Sequence, residues 1–206
     1  KFKRWQPVNC CIMTFNHDWF ELLKTQFELH SKHGGGIHLF KIGNHRLAAQ
    51  NISAGAAMAG ANLEILISLG IKKFITLGSA GSLQRSIGAG DICIPAKAIR
   101  DEGTSYHYQK PAKYAYPDQT LLKQLKRNLN RKKIPYHFGP TWTTDAPYRE
   151  TIKKIRTYRK EGCLTVEMEA ASLFSIAKFR KVALASILGV SDELHSTHWQ
   201  PHFHTS

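Results

Sequence analysis

The stretch T-V-E-M-E-A-A-S-L-F-S-I-A, residues Thr165–Ala177, joins a short apolar strand to a run of small and apolar residues with helical character. Two carboxylates, Glu167 and Glu169, flank Met168 at the junction. Acidic side chains at the start of an apolar helix are stabilised by the positive end of the helix dipole. The stretch therefore predicts a strand-to-helix junction with two acids at the helix start. By itself it leaves open whether these acids form a solvated first turn or part of a site.

Outward from this junction, apolar strands alternate with helices along the chain. Several strands are continuously apolar, which is typical of strands buried on both faces. The predicted strands are Val8–Phe15, Ile37–Ile42, Arg46–Ile52, Phe74–Leu77, Ile92–Ile99, Tyr136–Thr143, Leu164–Val166 and Ala183–Val190. The predicted helices are 18–30, 54–69, 118–131 and 151–160, with one more after the opening junction. This alternation predicts an α/β fold: a three-layer α/β/α single domain over residues 1–206, with a central mixed, mainly parallel sheet.

The composition favours a cytoplasmic protein without a membrane partner. No run reaches the roughly 18 apolar residues of a membrane span, and no signal-peptide pattern is visible at the abrupt N-terminus, where a piece of natural sequence could be missing. The four cysteines are Cys10, Cys11, Cys93 and Cys163. Their spacing favours reduced thiols over a disulfide framework.

The formal net charge of +14 raises the question of a nucleic-acid partner. The densest basic cluster is Lys123–Lys133, where leucines recur at helical spacing. The Lys and Arg side chains of this segment are therefore expected on the solvated face of an amphipathic helix. A specific nucleic-acid site is not favoured, and an anionic small substrate would also be attracted by this charge.

Polar sequences follow four of the predicted strands, where open α/β sheets bind their ligands. These strand ends are Gly78–Gly81, Arg100–Ser105, Glu167–Glu169 and Ser191–Asp192. The glycine-rich segment is expected to form a turn whose N–H groups and Ser79 hydroxyl could hold an anion. Asp192 follows an apolar strand, so desolvation would suit it to general-acid chemistry. An Asp that caps the next segment explains the same position equally well.

The histidines near the C-terminus do not predict a metal site. They are His195, His198, His202 and His204. Their spacing matches no standard zinc signature and no cysteine accompanies them, so we expect a surface tail and no bound metal.

Four motifs together resemble the nucleoside phosphorylase-I superfamily, the purine and uridine phosphorylases. They are V-E-M-E-A-A (Val166–Ala171), V-S-D (Val190–Asp192), G-S-A-G (Gly78–Gly81) and T-T-D-A-P-Y-R-E-T (Thr143–Thr151). Their order and spacing match across nearly the whole chain. The resemblance implies cleavage of a nucleoside by phosphate to a free base and a pentose 1-phosphate, with phosphate as co-substrate and no cofactor.

The resemblance also implies a role for each matching residue. Glu169 would accept hydrogen bonds from the ribose hydroxyls, Met168 would pack beneath the sugar, and Glu167 would lie beside them near the base. Asp192, with Ser191 before it, would protonate a purine at N7 as the glycosidic bond breaks. The remaining matches are Pro147 and Tyr148 for the base pocket, and Gly78, Ser79 and Arg46 for phosphate. Arg46 would act in a neighbouring subunit, so a homo-oligomer built from dimers, such as a hexamer, is expected.

Several positions depart from the family pattern. Thr76 stands where many phosphorylases carry an Arg that grips phosphate, and Ser53–Ala57 replaces a usual G-x-G-x-P. After the catalytic Asp, only His195 and His198 stand where relatives place a helper Arg. Two alternatives therefore stay open beside a phosphorylase. One is a nucleoside hydrolase of the methylthioadenosine nucleosidase type, which uses water, and the other is a non-catalytic family member that binds nucleosides.

Overall fold

The computed structural model describes residues 8–194 and 200–201. Its strands are β1 (Cys10–Thr14), β2 (Glu28–Lys32), β3 (Ile37–Ile42), β4 (His45–Asn51), β5 (Lys73–Ser82), β6 (Ile92–Asp101), β7 (Tyr114–Ala115), β8 (His137–Thr144), β9 (Thr165–Glu167), β10 (Ala183–Glu193) and β11 (Gln200–Pro201). Its helices are α1 (His17–Gln26), α2 (Ala56–Ser68), α3 (Gln119–Arg131), α4 (Ile152–Lys160) and α5 (Ala170–Arg180). The predicted strand–helix alternation is confirmed. The four histidines of the predicted tail lie outside the described residues.

All of these strands join one mixed sheet. Its longest pairings, β5 with β10 and β6 with β8, are parallel. Strands β5, β10, β6, β8 and β9 pair in that order, and β9 then pairs with β5, so these five strands close a ring. The prediction of an α/β fold with a central mixed sheet is confirmed.

Helices cover both faces of the sheet because alternate residues of each strand point to opposite sides. On one face, Phe20 of α1 packs with Phe40 of β3 and Ala49 of β4. On the other face, α2 and α5 pack against each other and against Met13 and Leu39. The sheet is therefore the middle of three layers.

The segment Gly78–Gly81 is part of strand β5, so the predicted glycine turn is wrong. Its residues pair with Leu188–Asp192 of β10, with a register shift between Val190 and Asp192, and this long pairing extends β5 to Ser82. Gly78 is buried, and a Cβ there would lie 3.3 Å from the ring of Phe15. The glycine therefore allows the close approach of a neighbouring ring rather than a turn.

The predicted helix over 18–30 ends early, at Gln26. Residues Glu28–Lys32 pair with β3 instead. Because a hairpin partner supplies backbone hydrogen bonds that a frayed helix end lacks, the tertiary pairing overrides the local helical pattern.

All four cysteines are free thiols, and three of them are buried. Burial raises the pKa of Cys93 and of Cys163 to about 12, so these thiols are unreactive at neutral pH. Among the described helices, none is long and apolar enough to cross a membrane. Across residues 8–194 and 200–201, no cluster of three His, Cys, Asp or Glu side chains could hold a metal ion.

Candidate active site

A cavity of about 570 Å³ opens near the carboxyl ends of β1, β5, β9 and β10. This is the edge at which α/β sheets bind ligands. Small and apolar groups line it together with four carboxylates. The lining residues are Phe15, Ala54, Ser79, Ala80, Gly81, Pro147, Tyr148, Glu150, Val166, Glu167, Met168, Glu169, Ser191, Asp192 and Leu194. All the residues predicted for the site lie here except Gly78 and Arg46.

Glu167 holds the junction between β9 and α5. One carboxylate oxygen accepts a hydrogen bond from the Thr143 hydroxyl at 2.5 Å, and the other accepts the backbone N–H groups of Glu169 and Ala170, each at 2.7 Å. Both oxygens are thus occupied by the protein itself. Glu167 caps the amino end of α5, which the dipole of that helix favours, and it positions Glu169 rather than presenting free acceptors to a ligand.

Glu169 joins two helix starts and faces the cavity. Its Oε1 accepts a hydrogen bond from the backbone N–H of Gly55 at 2.5 Å, directly before α2. Burial raises the pKa of Glu169, while the backbone N–H groups of Gly55 and Met168 both act to lower the pKa of this carboxyl. The carboxyl lines the cavity, where a ligand hydroxyl can also donate to it. Burial together with the charge of Glu169 raises the pKa of Glu167. The site therefore holds two strongly desolvated carboxyls.

Asp192 enters the cavity through an irregularity in β10. Val190 pairs with Ala80 but Asp192 pairs with Gly81, so Ser191 is an extra, bulged residue. Bulges redirect side chains beside active sites, and this one lets the neighbours Ser191 and Asp192 both line the same cavity. The Ser191 hydroxyl donates to Asp192 Oδ1 at 2.8 Å, and the Asp192 side chain is buried.

Gly81 makes room for this aspartate. A Cβ at Gly81 would lie 3.0 Å from Asp192 Oδ2 and would collide with the side chain of Leu194. Only glycine therefore allows the carboxyl to lie against the β5 backbone.

Ser79 lies on β5 just beyond the residues that pair with β1. The Leu77 carbonyl accepts the N–H of Phe15 at 3.0 Å on the β1 side, and Gly81 pairs with Val166 of β9 on the same side. Because alternate residues of a strand direct their N–H groups to the same neighbour, the Ser79 amide faces the gap between Phe15 and Val166. This gap belongs to the cavity. The backbone N–H of Ser79 in strand β5, rather than a glycine turn, is thus the candidate hydrogen-bond donor to an anion.

Pro147 and Tyr148 form a 3-10 turn at the mouth of the cavity. The Tyr148 side chain is 100% exposed. It contributes to the cavity rim without packing on other residues in the described part of this chain, so a bound ligand or a second copy could cover it.

Two residues considered for phosphate lie elsewhere. Arg46 is exposed near the start of β4, at the opposite end from the carboxyl end of that strand, and is not among the lining residues of the cavity. Thr76 is buried within the sheet, where its hydroxyl donates to Ser186 Oγ at 2.6 Å. None of the described lining residues is Lys, Arg or His.

The strand end Arg100–Ser105, predicted to converge with the other three, does not reach the cavity. The Arg100 guanidinium is buried and donates to Ser105 Oγ and to the carbonyl oxygens of Lys110 and Gln109, at 2.8, 2.8 and 3.2 Å. It organises its own loop, so its role is structural.

Among the contributors that the sequence did not predict as site residues, four are notable. They are Phe15, Gly55, Thr143 and Glu150. Phe15 could have been inferred from its position after a strand, and Glu150 from its place in the T-T-D-A-P-Y-R-E-T motif. The contacts of Gly55 and Thr143 join distant parts of the chain, and no local pattern indicates them.

A larger cavity, of about 1210 Å³, lies at the amino ends of β5 and β10. Its lining includes five lysines: Lys72, Lys73, Lys97, Lys178 and Lys181. Its one carboxylate, Asp118, caps α3 by accepting the N–H of Leu121 at 2.7 Å. This cavity offers charge but no acid positioned for proton transfer, so the smaller cavity is the candidate active site.

Comparisons with known proteins find relatives of the whole fold. The chain is 29% identical over 140 residues to a guanosine phosphorylase of Halorubrum lacusprofundi, covering 68% of this chain and 58% of that protein. It is 32% identical over 133 residues to a DeoD-type purine nucleoside phosphorylase of an Exiguobacterium species, covering 64% and 56%. It is 29% identical over 153 residues to a uridine phosphorylase of Treponema pallidum, covering 69% and 59%.

The fold is similar to that of a solved structure. The uridine phosphorylase of Vibrio fischeri superposes with a TM-score of 0.79 at 25% sequence identity, over 89% of this chain and 81% of that one. The chain spans little more than half the length of the curated relatives it matches. A family model described as the phosphorylase superfamily matches residues 12–205, and the chain therefore belongs to the phosphorylase superfamily.

Proposed function

We propose that this chain is a nucleoside phosphorylase, a pentosyltransferase that cleaves the N-glycosidic bond of a nucleoside with inorganic phosphate. The observation that carries the proposal is the meeting of Glu169, anchored by Gly55, with Asp192 in one cavity at the strand ends. Membership of the phosphorylase superfamily and the names of the relatives support it. The products are a free base and a pentose 1-phosphate.

In this reaction a phosphate oxygen forms a bond to C1′ while the bond from C1′ to the base nitrogen breaks. The sugar passes through an oxocarbenium-like transition state, so rigidly held hydroxyls and a proton for the departing base both lower the barrier. Glu169 Oε2 would accept the ribose hydroxyls, with Met168 beneath the ring. Asp192 would donate its proton to the base and recover one from solvent.

The phosphate is proposed to bind between the Ser79 amide and a cation from a second subunit. The cavity's described lining contains no basic side chain, and Arg46 lies near the start of β4, outside that lining. A homo-oligomer built from dimers would bring Arg46 of one subunit to the site of another. A purine preference follows from the proposed protonation by Asp192, and a role in purine salvage in the cytoplasm fits that preference.

A second candidate function is hydrolysis, in which water replaces phosphate. It is favoured by the same lack of a described cation in the cavity and by the buried, hydrogen-bonded Thr76 in place of a basic residue. A chain that binds nucleosides without cleaving them is the third candidate.

The test is release of free base from inosine, adenosine, guanosine and uridine, with and without phosphate. Phosphorolysis predicts release only with phosphate and formation of pentose 1-phosphate. Equal release without phosphate would replace the proposal with hydrolysis. Asp192→Asn should lower kcat/KM by about 10²–10⁴-fold. Unchanged release by Asp192→Asn would exclude both catalytic schemes, and binding without any release would support the non-catalytic candidate.

A further inference from the structure

The larger cavity gathers lysines from separate parts of the chain. Lys72 and Lys73 lie at the start of β5, and Lys97 lies on β6. Lys178 and Lys181 lie at the end of α5. These three segments are distant in sequence. The fold, and not a local run of basic residues, therefore brings the five side chains to the lining of one cavity.

Backbone hydrogen bonds fix this arrangement. The Ala183 N–H donates to the Lys72 carbonyl at 2.9 Å, which joins the start of β10 to the residue before β5. The Lys181 N–H donates to the Lys178 carbonyl at 3.3 Å, at the end of α5. Because β10 begins directly after this turn, the lysines of α5 and those of β5 lie on neighbouring segments.

The described part of the chain does not compensate the positive charge of this cavity. Its one carboxylate, Asp118, caps α3. Four of its lysines form no ion pair with any residue among 8–194 and 200–201: Lys72, Lys73, Lys178 and Lys181. A cleft lined by charges of one sign over apolar walls focuses its electric field and concentrates ions of the opposite sign. The cavity therefore favours a ligand with several negative charges.

Apolar and aromatic side chains form the rest of the lining. Leu122 and Phe174 are buried there. Tyr116 and Phe138 line the same cavity but keep exposed fractions of 50% and 44%. The Lys126 ammonium lies 3.6 Å from the centre of the Phe138 ring. Rings open to solvent beside lysines can stack on a planar base while the ammonium groups bind phosphates.

We infer that this cavity is a second binding site, for a nucleotide polyphosphate such as a nucleoside triphosphate, because five lysines and two open rings meet in it. The lysines bind the phosphate chain, and Tyr116 and Phe138 stack on the base. The volume of about 1210 Å³ is large enough for such a ligand. Lys73 lines this cavity and Ser79 lines the smaller one, about 20 Å further along β5, so the two sites are separate.

Titration calorimetry with ATP and with inorganic tripolyphosphate tests both parts of the site. The unmodified protein should bind both ligands. In the double variant Lys72→Gln with Lys178→Gln, affinity for both should fall about tenfold or more. In Tyr116→Leu with Phe138→Leu, affinity for ATP should fall about tenfold, while affinity for tripolyphosphate stays unchanged. The inference is overturned if ATP does not bind, or if the loss of both rings leaves ATP affinity unchanged.

The matched control is Lys153→Gln with Lys160→Gln, which removes the same charge from two exposed lysines of α4. Neither of them lines the cavity, so ATP affinity should change by less than about twofold. Lys72 and Lys178 are exposed as well, and their replacement leaves the core intact. An equal loss of ATP affinity in the control would show that only the net charge of the chain attracts ATP, and the inference would fall.

Two further measurements establish where ATP binds and which class of ligand the cavity takes. Glu169→Gln alters only the smaller cavity, so ATP affinity should stay unchanged, and its loss would place ATP in the candidate active site and overturn the inference. A fluorescently labelled single-stranded RNA should be displaced by ATP. RNA that binds through Lys72 and Lys178 and resists displacement by ATP would assign the cavity to nucleic acid instead. None of these measurements needs turnover, so the inference and the proposed function can fail separately.

Discussion

Glu169 Oε1 accepts the backbone N–H of Gly55 at 2.5 Å, across 114 positions of sequence. This bond joins the start of α5 to the residue that precedes α2. Gly55 has a φ of 113°, which only glycine adopts without strain. The direction of its N–H therefore depends on a glycine at this position. Oε1 of Glu169 therefore stabilises the fold, while the same carboxyl also lines the cavity.

This division predicts different outcomes for two substitutions of Glu169. Glu169→Gln keeps a carbonyl oxygen for Gly55, so unfolding free energy should change by less than about 1 kcal/mol. It turns an amide N–H₂ towards the sugar, so kcat/KM should fall about a hundredfold or more. Glu169→Ala should lose both activity and about 1–3 kcal/mol of stability. Urea denaturation and base-release assays measure the two effects, and equal destabilisation by both variants would contradict the division.

Thr143 predicts a structural effect on the same junction. Its hydroxyl donates to Glu167 at 2.5 Å and accepts the N–H of Ala171 at 2.9 Å, with no exposure to solvent. Thr143→Val would leave one oxygen of the buried Glu167 carboxylate and the buried N–H of Ala171 without this partner, which costs about 1–3 kcal/mol. Thr157→Val, on the exposed face of α4, should cost less than about 0.5 kcal/mol. Similar urea midpoints for the two variants would show that the Thr143 hydroxyl contributes nothing.

The parts of the fold that the sequence predicted are those that local patterns specify. Continuous apolar strands predicted the sheet, and the rule for strand ends located Glu169 and Asp192. The errors arise where pairing with another strand decides the structure. Residues Gly78–Gly81 are strand because β10 pairs along them, and Glu28–Lys32 is strand because β3 lies beside it. The role of Glu167 also escaped the sequence, since Thr143 lies 24 positions away.

The close packing at Gly81 predicts that a larger residue there would displace the Asp192 carboxyl. In Gly81→Ala the new methyl would press on Leu194 and lie 3.0 Å from Asp192 Oδ2. Overpacking of this kind costs about 1–3 kcal/mol, and displacement of the carboxyl should lower kcat/KM at least tenfold. The control is Gly34→Ala, where a Cβ would meet nothing within 4 Å and φ is not positive. Full activity of Gly81→Ala would show that Asp192 does not depend on this approach.

The raised pKa values predict how stability varies with pH. Glu150 titrates near 7 when folded and near 4.5 in its ordinary state, so between these values the folded chain holds more protons than the unfolded chain. Unfolding free energy should therefore fall as the pH rises from about 4.5 to 7. The raised pKa values of Glu167 and Glu169 act in the same direction. Across this pH range the urea midpoint should fall less steeply in Glu150→Gln than in the unmodified protein. In the control Glu28→Gln, at an exposed position, it should fall as steeply as in the unmodified protein.

If the active site is shared between subunits, mixing two inactive variants should restore part of the activity. Arg46→Gln removes the cation proposed to serve a neighbouring subunit, and Asp192→Asn removes the proposed acid of the subunit's own site. If each subunit supplies Arg46 to its dimer partner, a mixed dimer has one site with both groups intact and one site with neither. Random mixing after refolding should then recover about a quarter of the unmodified phosphorolysis rate. Each variant refolded alone serves as the control, and no recovery on mixing would place Arg46 outside the active site.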